Sequence, residues 1–447
     1  MWRQRLFVFI IFLLPWQARL FLLPAGDSLP YTSVSIYALD CLMLIAVLWS
    51  WRTVYAWMRA CSASRRSHLL AALVGFVIAM NIASAPDVMA ASWKVVTLLL
   101  FFLFALVLVR EGDGKQLRFA LVISAVVQSL FAVAQFLTQT IVSSTFLGIA
   151  EQVATSSGVS VIETVSGRFL RAYGSFPHPN ILAGFLSLSL IATIDWYFAA
   201  YEEFQQWWNA HGSGNKQLYR EPVVQKMAVV ASLLLGAMTI ILSGLYLSFS
   251  RAAVLAIVAA LLVYGGNKYL QNPVRLVALG FKLGLVALLT LGAWTMLVPN
   301  LWTSRITSSS RLDTLSNVTR IAEYQEGISL FSSHPLVGVG LQNEVPALML
   351  ANPGLPLLSY QPVHNIFFLI IIEVGILGVF VLGLAFAYYK KKVRLMLSNG
   401  SASFVAAMTC LIVLGSLDHY LWSLHAGLIL WLIPVLLYSP LKRRVQS

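Results

Sequence analysis

Residues 364–394 read HNIFFLIIIEVGILGVFVLGLAFAYYKKKVR, and the fold of the chain is decided there. From Ile366 to Tyr389 the run is apolar apart from Glu373, and it ends in Lys390, Lys391, Lys392 and Arg394. Roughly 20 apolar residues in a helix cross a bilayer, and lysine and arginine accumulate on its cytoplasmic side. Composition extends this reading to the whole chain of 447 residues, 59% of them hydrophobic and only 11% charged, with mean hydropathy +0.80. A soluble domain carries about 25% charged residues. One soluble core of this length would leave most of the apolar runs facing water, so the bilayer is the solvent.

Working outward from that run, twelve segments meet the same criterion: 5–24, 34–51, 69–86, 92–109, 118–139, 179–199, 227–247, 251–266, 276–298, 364–388, 402–418 and 422–440. Lipid satisfies no backbone polar group, so each is expected as a helix. The expected fold is all-α: a polytopic membrane protein of about twelve transmembrane helices, forming one transmembrane domain over residues 1–447. Arg3 and Arg5 precede the first run as in a signal peptide, but no small-residue cleavage site follows, so it reads as an uncleaved helix. Cys41, Cys61 and Cys410 show no metal-ligand or disulfide spacing.

The formal net charge of +13 could suggest a nucleic-acid binder. The cations instead fall in short clusters between apolar runs, as topology signals do, and nucleic acid is not expected as a partner. They crowd the N-terminus, 52–68, 110–117, 200–226, 267–275, 389–401 and the C-terminus. These segments, both termini included, are expected in the cytoplasm, with the chain in the cytoplasmic (inner) membrane. Arg118 stands at the boundary of one of these loops. The opposite side keeps Lys94, Arg168, Arg171, Arg251, Arg305, Arg311 and Arg320.

On that side two connections are long, 140–178 and 299–363, and connections of such size are functional or disordered. The second holds an amphipathic helical pattern. Val318, Ile321, Ala322, Ile328 and Phe331 fall mainly on one face, while Arg320, Glu323 and Glu326 cover others. Ser316 or Asn317 can cap its start, and Pro335, Gly338 and Gly340 end it. Segment 200–226, with Trp207 and Trp208, reads as interfacial.

Taken singly, the polar residues of this side have ordinary readings. Arg251, in Ser248-Phe-Ser-Arg251, could snorkel at the interface; Arg320 could pair with Glu323 on the helix surface; Arg168 and Arg171 could be solvated loop charges. Arg305 and Arg311 look solvated, His178 and His334 look like turn residues, and Asp418-His419 looks like a cap. His364 is a helix-start residue whose imidazole could serve as a base near neutral pH. Taken together they suit a lipid-linked diphosphate, since guanidinium groups bind phosphate oxygens bidentately and neutralise charge as the diphosphate leaves. No His/carboxylate spacing on these loops marks a metal site.

The ordered set Arg171-Ala-Tyr-Gly-Ser-Phe-Pro-His-Pro-Asn180, Ser248-Phe-Ser-Arg251, Arg320 followed by His334-Pro-Leu-Val-Gly338-Val-Gly340, His364-Asn365 followed by Glu373-Val-Gly375, and Asp418-His419-Tyr420-Leu-Trp422 resembles the O-antigen ligase and polymerase superfamily. The resemblance spans roughly residues 168–425. It implies a GT-C-type membrane glycosyltransferase that takes a glycan from undecaprenyl diphosphate to an acceptor hydroxyl of a glycolipid or glycan on the outer face, without metal or other cofactor and with inversion. It further implies that His364 is the catalytic base and that Arg251 and Arg320 bind substrate, with Arg171 as an addition. Ligase and repeat-unit polymerase remain alternatives. No sizeable soluble domain follows Trp431, which weighs against a protein O-oligosaccharyltransferase. A lipid-linked glycan flippase, the competitor of another class, would need polar or broken helices near the midplane; apart from Lys282 the spans look clean inside.

Overall fold

The computed structural model describes residues 2–22, 34–61, 64–164, 167–211, 221–307, 311–399 and 401–438. Lys216, Arg220, Lys442, Arg443 and Arg444, which entered the topology reading, lie outside the described residues.

The run after His364 folds as the helix Ile366–Asn399, opened by Asn365, whose Oδ1 accepts from the backbone N–H groups of Phe367 and Phe368. Inside it Gly375 leaves helical geometry, at φ 63° and ψ −174°. Segment 335–340 crosses the helix there: Ile376 and Leu377 donate to the carbonyls of Pro335 and Leu336, and Val339 and Gly340 donate to those of Ile372 and Glu373. A Cβ on Gly375 would sit 2.5 Å from the Gly338 nitrogen and the Leu336 oxygen, so two backbones meet where only glycine fits.

All twelve expected segments carry helix, and the all-α polytopic fold holds. Among the described residues, eight helices are long and apolar enough to cross a membrane. They are Arg65–Ala83, Val88–Glu111, Gly114–Thr138, Pro179–His211, Pro222–Leu247, Arg251–Gln271, Pro273–Leu297 and Ile366–Lys390. Ala38–Trp49 and the helix after it bend by 70° and count at most as one more. The remaining segments are shorter than expected. Trp2–Phe12 stops ahead of Pro15, and the strand Arg19–Phe21 pairs with Ser35–Tyr37 where 5–24 was expected as one helix. Ala402–Leu417 ends at Asp418, and the last span is a broken run over His425–Leu437.

Pro179–His211 is the hub of the bundle. From Ile181 to Ile194 every residue is buried, against Pro222–Leu247, Gly114–Thr138, Arg251–Gln271 and Ala402–Leu417. Ser189 and Thr193 satisfy their hydroxyls locally, donating to carbonyls one turn back. Pro273–Leu297 is the opposite case: only Leu279 and Thr290 are buried, and Phe281, Leu288 and Leu289 face outward as lipid-exposed side chains do. One expectation fails in the interior. Arg118, expected at a loop boundary, is fully buried and bonds Asp195 at 2.7 Å, with the Tyr264 hydroxyl on the other carboxylate oxygen at 3.2 Å. The connection 140–178 is not a plain loop either. Thr140–Ile141 pairs with Gln152–Val153, and Val161–Thr164 with Gly167–Leu170, both antiparallel.

Candidate functional site

Four sequence-predicted residues, Arg171, Arg251, Arg320 and His364, reach one end of the bundle, and local chemistry explains how each arrives. Pro222–Leu247 closes at Ser248, Phe249 adopts a left-handed φ of 50°, and the Ser250 hydroxyl caps the next helix through the Ala253 N–H. The chain therefore reverses within a few residues and leaves Arg251 first in its helix. Phe249 is buried beside Phe136, Tyr246 and Trp302, packing that holds an aromatic residue in a conformation it otherwise avoids. Arg251 donates to the Arg305 carbonyl at 3.2 Å, and the Arg305 guanidinium donates to the Phe249 carbonyl at 3.5 Å.

Arg171 is buried beside this turn, donating to the Ser248 carbonyl and to Asn180 Oδ1, each at 2.8 Å. Asn180 passes the link on, donating to Asp418 Oδ2 at 2.8 Å. Burial, then the neighbouring Arg305 guanidinium, pushes Arg171 down to about 9, with Arg251 acting in the same direction. Its charge is held at a cost that an anion in the cluster would remove. Arg320 lies on the helix Arg311–Ser333, half-buried, with its Nε enclosed and without a hydrogen-bond partner among the described residues. That helix starts at Arg311, ahead of the caps expected at Ser316 or Asn317.

His364 bonds a carboxylate that the sequence placed elsewhere. Its Nδ1 lies 2.6 Å from Oε2 of the buried Glu323. An ionised carboxylate only accepts, so Nδ1 carries the proton and Nε2 keeps its lone pair. His364 and Glu323 line a cavity of about 660 Å³ that also takes in Ser157, Glu163, Arg168 and Gln361. The His419 ring stands edge-on to His364, centroids 4.9 Å apart, with its Nδ1 2.6 Å from the Ser423 hydroxyl. Burial pushes His419 down to about 4, and burial followed by Arg171 pushes His178 down to about 3, so both are neutral at pH 7. Burial raises Asp418, but His419, His364, His178 and the Asn180 amide together hold it below the usual carboxylate range.

His364, Asp418 and His419 offer ligand atoms within 4.8 Å of one another, a donor set suited to a divalent cation. Spacing hides this cluster, because its members come from two different helix ends. Its surroundings are cationic: Arg320 acts on His419, and Arg171 acts on His178. That nearby positive charge disfavours a further cation.

The comparisons with known proteins fit this end of the molecule. Residues 236–383 match the O-antigen ligase family model. The match supports the O-antigen ligase and polymerase superfamily, whose members are membrane glycosyltransferase-type enzymes. No curated protein and no solved structure matches the chain. The matched segment carries Arg251, Arg305, Arg320, Glu323 and His364; Arg171, Asn180, Asp418 and His419 join it from outside those bounds.

Several members of the candidate site escaped sequence reasoning. Arg305, expected to be solvated, is half-buried in the arginine cluster, whereas Arg311 is exposed as expected. The signal for Arg305 was its side of the membrane, which it shares with Arg251. His178 is a turn residue, its Nδ1 accepting from the Asn180 N–H at 3.1 Å, yet it also stands in the site. His334 is exposed and stays a turn residue.

Proposed function

We propose that this chain moves a glycan from undecaprenyl diphosphate to an acceptor hydroxyl on the non-cytoplasmic face of the cytoplasmic membrane, without metal and with inversion, as an O-antigen ligase. One observation carries the reading: Arg171, Arg251, Arg305 and Arg320 gather around the cluster of His364, His419 and Asp418, and His364 lines a cavity. The guanidiniums would hold the diphosphate through paired charge-assisted hydrogen bonds and take up charge as it departs. His364 Nε2 would accept the proton of the acceptor hydroxyl, whose oxygen attacks the anomeric carbon opposite the leaving diphosphate. Glu323 would steady the imidazolium that forms. A glycolipid or glycan acceptor would occupy the cavity side.

A repeat-unit polymerase would use the same chemistry on a growing chain, and surface glycans of a deletion strain separate the two. Unligated long chains are expected for a ligase. Single repeats would mark a polymerase, and an unchanged glycan profile would remove both readings. For the flippase reading, the buried Arg118–Asp195 pair is a polar feature in the interior, but Asp195 lies about 22 Å along its helix from Asn180. It pairs with its own partner rather than facing the site.

A further inference from the structure

The helix Arg311–Ser333 is built inside out for a helix in water. Between Thr314 and Ser333 its charged residues are Arg320, Glu323 and Glu326, and none of them is exposed. The exposed face carries Val318 at 59%, Ile321 at 62% and Ile328 at 55% exposure, interspersed only with uncharged residues, while Leu315 lines the cavity beside Ser316. Val318 and Ile321 are three residues apart with Ile328 seven further on, so they share a side. The opposite side meets the protein: Glu323 bonds His364, Tyr324 stacks on Phe368 at 5.8 Å, and a Cβ on Gly327 would strike Ile372.

Those last contacts set the depth of the helix. Phe368 and Ile372 belong to the span Ile366–Lys390, and the chain just past the helix end bonds the same span at Ile376 and Leu377. The span exposes Phe367, Ile376 and Phe380, residues that face lipid in a membrane. The apolar face of Arg311–Ser333 therefore adjoins a lipid-facing surface, and charge is absent where water would favour it.

We propose that Arg311–Ser333 lies in the leaflet on the site's side of the membrane, with Val318, Ile321 and Ile328 against lipid. An interfacial helix buries such a face at the boundary of headgroups and acyl chains. The seating does not depend on the transferase reading. It gives that reading a route, however: one helix diameter, roughly 10 Å, separates lipid from Arg320, so a lipid-anchored diphosphate reaches the arginines while its tail stays in the leaflet.

Spin-label accessibility tests the seating. Val318→Cys, Ile321→Cys and Ile328→Cys are made singly, with Cys41, Cys61 and Cys410 replaced by alanine. Each is labelled with a nitroxide in nanodiscs of phosphatidylethanolamine and phosphatidylglycerol. Collisions with oxygen, which partitions into lipid, should exceed those with a water-soluble nickel chelate several-fold at all three positions. Ser316→Cys, lining the polar cavity, should show the reverse. Nickel collisions that match or exceed oxygen at Val318, Ile321 and Ile328 would place the helix in water and overturn the proposal. Protection from both reagents would mean a protein cover and would overturn it equally. Neither result depends on glycan transfer, so failure of the proposed function stays separable.

Discussion

At the residue scale, Arg251 matters through the fork of its guanidinium. Arg251→Lys keeps the charge but loses bidentate binding, so glycan transfer should fall severely while the chain still inserts and folds. Transfer equal to the unsubstituted protein at equal expression would return Arg251 to an interface role. His419 makes a prediction about pH. The fold depresses it from 6.5 to about 4 by burial, so the unfolded chain binds its proton first. The stability it contributes is present above pH 6.5 and lost as pH falls toward 4, on the order of 3 kcal/mol in all. His178, lowered to about 3, acts with the same sign. Thermal unfolding in detergent should show this acid loss, and His419→Asn should reduce it. An unchanged pH slope in that variant would refute the assignment. Single residues were only partly legible in the sequence. Membrane side made Arg251 and His364 candidates and the family resemblance gave them roles, but partner identity did not follow: Glu323, read beside Arg320 on a helix surface, bonds an imidazole brought from another element.

At the element scale, hydropathy located the helices well because a span must satisfy its backbone internally and so announces itself locally. It failed where tertiary contacts decide. The pairing of Val161–Thr164 with Gly167–Leu170 rests on few residues, too short for a periodic signal. The break at Gly375 answers a segment far earlier in the chain, and Arg118 looked like a topology signal until Asp195 met it across two helices. That pair carries a prediction. Removing one partner of a buried pair strands the other charge, typically at a cost of about 3–5 kcal/mol. Asp195→Ala should therefore lower the unfolding midpoint sharply, and Arg118→Leu combined with Asp195→Leu should recover much of the loss. A midpoint unaffected by Asp195→Ala would mean the pair is not formed.

At the scale of the whole molecule, lysine and arginine asymmetry is the only ground for sidedness, since packing is indifferent to which end faces the cytoplasm. That asymmetry puts Ser157, on the cavity, outside and Lys115 inside. Single cysteines at these positions, in a chain without native cysteines, should differ: an impermeant thiol reagent should label Ser157→Cys in intact cells and leave Lys115→Cys untouched. The opposite pattern would turn the arginine cluster toward the cytoplasm and dissolve the functional scheme with it.

The central claim is that His364 removes the acceptor's proton while the arginines hold the donor. His364→Gln tests it, because the amide can still donate to Glu323 but cannot take up a proton at neutral pH. Transfer from an undecaprenyl-diphosphate-linked glycan, measured with purified protein in liposomes alongside donor binding, should fall by roughly 10²–10⁴-fold with donor affinity unchanged. Near-normal turnover in this variant would contradict the claim, leaving His364 to orient the acceptor and Glu323 as the next candidate base.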